Sequence, residues 1–203
     1  MALTSSQRNW AVFFASAGLI GLLSAAWLAV SGTSDDNVRL LLRLSARAAF
    51  LVLLLIFIAR PLRQLIATPA TAKLLQNRRL LGIAFTGIHT AHLGLIFYRA
   101  RVIPDFDLNI SESLLGALTY LVIYLMFLTS FDATARALGR SNWRVLHKVG
   151  LYWVFVAFLP TLLPDSLGQL AGANGFIILL AAVAIVTRLT AFLASRQRRA
   201  QPQ

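Results

Sequence analysis

The chain has 203 residues, 58% of them hydrophobic and only 13% charged, about half the charged share of a soluble domain. With a mean hydropathy of +0.73, this balance excludes a soluble globular domain and predicts an integral membrane protein, a single all-α transmembrane domain over residues 1–203. The net charge of +12 does not point to nucleic acid, because the cations flank apolar runs and suit anionic lipid headgroups; the absence of cysteine excludes disulfides, thiolate metal sites and iron–sulfur clusters.

Six apolar runs follow in chain order. The first spans Trp10 to Val30, with Trp10 and Trp27 as interfacial anchors. It is too long for the core of a cleavable signal peptide and predicts a retained helix. The linker SGTSDDN leads into an amphipathic stretch, VRLLLRLSAR. The second run covers 46–66, with a break predicted at Pro61. The third is 80–99, inside NRRLLGIAFTGIHTAHLGLIFYR. The loop RARVIPDFDLNISES precedes the fourth run, 113–131. A polar link, DATARALGRSNWR, precedes the fifth, 145–163, which Pro164 and Asp165 close. The sixth is 171–193, followed by a basic tail. No Rossmann or P-loop pattern is present, so the chain has no nucleotide-binding domain of its own.

Charge sets the predicted orientation. With both termini inside, the cytoplasmic side collects most of the cations, including Arg60, Arg78, Arg79, Arg136, Arg140, Arg144, Lys148 and Arg188. Arg39, Arg43, Arg47, Arg99 and Arg101 fall outside, with the acids Asp35, Asp36, Asp105, Asp107, Glu112 and Asp165. The cation bias predicts a six-helix bundle, N-in and C-in, in a lipid bilayer.

Ionisable rings at membrane depth are rare and usually functional. His92 lies thirteen residues past Arg79, roughly 20 Å along a helix and so in the outer half. His89 is three residues earlier, on nearly the same face. A neutral imidazole there suits an iron ligand, and it equally suits a helix–helix hydrogen bond. Gly87 and Gly94 share a face and admit either a flat cofactor or a neighbouring helix, the latter being the commoner use. His147, in SNWRVLHKVG, sits at the cytoplasmic mouth of the fifth run. Arg78, Arg79, Arg144 and Lys148 are placed to grip haem propionates or the phosphate of a flavin, although fixing topology explains them too. Tyr120, Tyr124 and Tyr152 admit a quinone pocket or ordinary packing with satisfied hydroxyls. A transporter lacks support, since the runs hold no paired acids or broken-helix repeats.

Two segments, NRRLLGIAFTGIHTAH and LGRSNWRVLHKVGLY, together resemble the ferric-reductase-like transmembrane family, nearest its bacterial MsrQ/YedZ-type branch. The segment SARAAFLVLLLIFIARPLR resembles that family's second helix. The resemblance implies haem b held between the third and fifth helices of a bacterial inner-membrane protein. Electrons from a cytoplasmic or quinone donor would pass to a periplasmic or membrane protein partner, so the chain would be at most the membrane redox subunit of an oxidoreductase. His92 would be the outer ligand and His147 the inner one. The chain departs from the family pattern twice: Pro160 stands where the family has a further histidine, and Arg79 where two-haem relatives have an inner histidine. Three outcomes stay open: an outer haem on His92, five-coordinate or using His89; an inner haem on His147 near an arginine; or a haem-free accessory subunit that stabilises a larger membrane complex.

Overall fold

The computed structural model describes residues 3–103, 110–162 and 173–200. They form helices α1 (Ser5–Ser31), α2 (Asp35–Leu65), α3 (Pro69–Gln76), α4 (Arg78–Val102), α5 (Ile110–Leu128), α6 (Asp132–Leu138), α7 (Arg140–Leu162) and α8 (Ala173–Ala200). There is no strand among the described residues. Among the described residues, four helices are long and apolar enough to cross a membrane: α1, α2, α4 and residues 175–198 of α8. A fifth span is counted if α5 and α6, bent by 105° at their junction, are taken as one. The chain is therefore an all-helical, multi-pass membrane protein, since only internally satisfied backbone is stable in lipid.

Local chemistry sets the helix ends. Thr4 and Gln7 form a capping box at the start of α1, and Gly32, at φ +83°, ends it. Ser34 caps α2, with Asp35 and Asp36 in its first turn, where carboxylates complement the helix dipole. Thr68 and Thr71 cap the short α3, which opens on Pro69.

The structure corrects three predicted boundaries. The stretch VRLLLRLSAR is not a separate amphipathic piece but the first part of α2; its apolar face buries Val38 and Leu41. Pro61 does not break α2, which continues to Leu65. Proline lacks the N–H that would bond the carbonyl four residues back, here that of Phe57. Arg188 Nη1 on α8 donates to that carbonyl instead, at 2.7 Å. The fourth run ends at Leu128, and the polar link forms α6 across the bundle end. Asp105, Asp107, Pro164 and Asp165 lie outside the described residues.

Helix α4 packs on α1 and α2, α2 also packs on α8, and α5 packs on α7. Phe50, Leu53 and Phe57 of α2, Phe85 of α4, Ile123 of α5 and Val154, Phe155 and Phe158 of α7 make the central cluster. Lipid is as apolar as these side chains, so close packing holds the helices together. Gly87 shows this most directly: a Cβ there would collide with Ser16 Oγ and the Phe13 carbonyl, so its absence lets α1 approach α4. Gly94 has open space around it. Toward one end of the bundle Asp35 pairs with Arg99 at 2.7 Å, tying the start of α2 to the last turn of α4.

Candidate functional site

At the other end of the bundle, α2, α4, α5, α6, α7 and α8 enclose a cavity of ≈ 520 Å³, within the range of small-molecule and cofactor sites. Its floor is apolar, with Phe57, Phe85, Ile123 and Leu151 among the lining residues. Among the described residues its walls carry six cations, Arg60, Arg78, Arg79, Arg144, Lys148 and Arg188, against the single carboxylate of Asp132. That carboxylate is already committed. It accepts from Arg79 Nη1 at 2.8 Å and from Ser5 Oγ at 2.7 Å, and these partners hold its pKa below the ordinary 3.8. Arg78 lies close enough to Arg60 and Arg188 to feel both charges. Like charges gathered beside an apolar floor favour an anion with an apolar body.

His147 lines this cavity. It stands one helical turn after Trp143, whose indole stacks on it with ring centroids 4.2 Å apart. The Trp143 indole N–H donates to the Thr129 carbonyl at 2.9 Å, which fixes the stack against α5. His147 Nε2 lies 3.0 Å from Thr129 Oγ1. The Thr129 hydroxyl spends its single hydrogen on the Leu125 carbonyl at 2.7 Å, so Nε2 is the donor to Thr129. The lone pair of this imidazole is then on Nδ1, which has no hydrogen bond among the described residues.

His89 and His92 lie elsewhere on α4, away from this cavity. Their rings stack on each other, with centroids 5.2 Å apart and planes 8° apart, and His89 also stacks on Phe85 and Tyr120. Phe158 of α7 stands against His89 at 5.4 Å. Phe158, Phe85 and Phe50 are all buried. His92 Nδ1 is 2.8 Å from Ser45 Oγ, whose hydroxyl also reaches the Leu41 carbonyl at 2.7 Å. His89 Nδ1 is buried without a partner. Among the described residues no three His, Cys, Asp or Glu side chains come together.

Of the residues singled out in the sequence, the structure thus gathers His147, Arg78, Arg79 and Arg144 around one cavity and leaves His89 and His92 outside it. The tyrosine hydroxyls are satisfied: Tyr120 donates to the His89 carbonyl, Tyr124 pairs with Thr90, and Tyr152 accepts from Arg188.

No protein-family model matches the chain, and no solved structure matches it. Curated proteins do. The protein-methionine-sulfoxide reductase heme-binding subunit MsrQ of Cronobacter sakazakii is 29% identical over 158 residues, 73% of this chain and 76% of that protein. The proteins of the same name from Salmonella paratyphi B and Salmonella heidelberg are each 31% identical over 157 residues, 73% of this chain and 77% of theirs. The chain belongs to the MsrQ family.

In this MsrQ-family chain, sequence reasoning missed Asp132, Thr129, Trp143 and Arg188 as members of the site. Two signals were available. Trp143 is four residues before His147 and so on its face. Arg188 is a lone cation inside an apolar run, where a charge needs a partner. Asp132 and Thr129 gave no signal, because only the bend between α5 and α6 brings them to the cavity.

Proposed function

We propose that this chain is a haem b-binding electron-transfer subunit for a methionine-sulfoxide reductase. In this reading it is a six-helix bundle in the bacterial inner membrane, with both termini cytoplasmic and its acceptor a periplasmic protein. The observation that carries the reading is the cavity itself: apolar below and, among the described residues, ringed by six cations with a single carboxylate and with His147 on its wall.

Haem b is a flat apolar macrocycle with two carboxylates, and the chemistry of this cavity suits it. The imidazole of His147 has a lone pair not used by the protein. Arg78, Arg144 and Lys148 line the cavity and form no salt bridge among the described residues. The level of His89 and His92 does not fit the group: Phe158, Phe85 and Tyr120 crowd the His89 ring, and Pro160 has no ligating atom. No step is drawn through that level. There His92 ties α4 to α2 through Ser45, the helix–helix role open to any membrane histidine.

When bound, haem supplies a one-electron iron couple. The chain's own residues do the rest. His147 would be the residue that holds the iron through its imidazole, and a single histidine is workable, as in globins and peroxidases. Thr129 accepts from its other nitrogen, which fixes the tautomer and raises the basicity of the ligand. Phe57, Phe85 and Leu151 exclude water, which strengthens each charge interaction nearby. The fixed cations would balance the two carboxylates and favour the reduced state. A flavin phosphate or a quinone would leave the free nitrogen of His147 without a role.

The test is spectroscopic. Protein purified from cells supplied with haem precursor is expected to show a Soret band that shifts on dithionite reduction, with about one haem per chain. Colourless protein under those conditions would overturn the reading and favour a haem-free accessory subunit.

A further inference from the structure

Arg188 is held more rigidly than its position in α8 requires. Its guanidinium lies 4.1 Å above the Phe57 ring and 4.5 Å from the Tyr152 ring. Nε donates to the Tyr152 hydroxyl at 2.8 Å, and Nη1 donates to the Phe57 carbonyl at 2.7 Å. These contacts fix the plane of the fork. The guanidinium has five N–H donors, and Nη2 has no acceptor among the described residues. The side chain lines the cavity and lies close to Arg78, a second cation. A purely structural arginine, needed only for the carbonyl that Pro61 leaves open, would require neither the hydroxyl clamp nor a place on the cavity wall.

We propose that Arg188 is a ligand-binding residue of the cavity, donating through Nη2 to one carboxylate of the occupant. The assignment rests on the haem reading and names the group that Arg188 recognises. Phe57 and Tyr152 pre-orient the fork, so little side-chain freedom is lost when the carboxylate arrives. Pro61 is part of the device: by removing a helical donor it creates the acceptor that anchors Nη1.

The test is a titration of the full chain in detergent with two probes, haemin and haemin dimethyl ester. The ester keeps the iron and macrocycle but loses both carboxylates. The readout is the ratio of the two dissociation constants, measured for the wild type, Arg188→Gln, Pro61→Ala and the double variant. The wild type is expected to prefer haemin. Arg188→Gln is expected to reduce that preference about tenfold, the size of a hydrogen bond to a charged group. Pro61→Ala restores a helical donor to Phe57, so it removes the structural need for Arg188. The double variant is therefore expected to show the same reduced preference with helix stability regained. An unchanged preference in Arg188→Gln, or full recovery of it in the double variant, would show that Arg188 serves only the helix. Preference for the ester, or none, in the wild type overturns the assignment but leaves haem binding intact. A wild type that binds neither probe overturns both.

Discussion

Arg79 Nη1 donates to Asp132 Oδ1 at 2.8 Å, joining the first turn of α4 to the first turn of α6. Ser5 Oγ donates to the other oxygen, so one carboxylate ties α1, α4 and α6 together. Asp132→Asn is expected to lower the thermal midpoint at neutral pH. The carboxyl is held below 3.8 by the Ser5 hydroxyl and the Arg79 guanidinium. A group depressed in this way contributes its stability above its unfolded pKa and loses it as pH falls through the lower, folded one. The gap between wild type and Asp132→Asn should therefore stay constant from pH 7 to pH 5 and close only below 3.8. Thermal unfolding in detergent across that range checks it, and a gap that closes above pH 5 would point to a different group.

His147 and His92 are expected to behave differently when removed. His147→Ala should lose most of the haem absorbance per chain, measured as the pyridine haemochrome. His92→Ala should keep most of it and lose stability instead, because the contacts it breaks are the hydrogen bond to Ser45 and the stack on His89. Colour lost with His92 and kept with His147 would place the group at the outer level.

Thr129 would act on the proposed iron ligand through its hydrogen bond with His147 Nε2. Thr129→Val keeps the shape and removes the acceptor at Nε2. Loss of such an orienting partner typically weakens metal-centre affinity about 10–100-fold, and haem retention on dilution should fall in that range. Thr129→Ser should restore it. A valine variant with unchanged retention would show that Trp143 alone orients the ring.

Gly87 and Gly94 offer a paired test of the α1–α4 contact. Gly87→Ala places a methyl against the Phe13 carbonyl and Ser16, and overpacking of this kind costs about 1–3 kcal/mol. Gly94→Ala meets nothing within 4 Å and removes a helix-weakening glycine, a gain of up to about 1 kcal/mol. Unfolding in mixed detergent micelles should show opposite signs. Equal effects would mean that α1 is not seated on Gly87.

Hydropathy and charge alone settled that this is a multi-pass helical membrane protein, because the cost of burying unpaired backbone in lipid leaves few other folds for so apolar a chain. They also marked His147, Arg78, Arg79 and Arg144, since charged and titratable groups are conspicuous against an apolar background. Sequence spacing did not show that α2 runs through Pro61, because the donor that makes this tolerable comes from Arg188, more than a hundred residues away. Nor did it separate the three histidines. On single helices, each is an imidazole at some depth. Only packing between helices decides that His89 is enclosed by Phe85, Tyr120 and Phe158 and His92 bonds to Ser45, while His147, stacked on Trp143, lines a cation-rich cavity. Depth is a one-dimensional property that the chain order carries; a cavity is made by several helices at once, and its walls exist only when they are assembled.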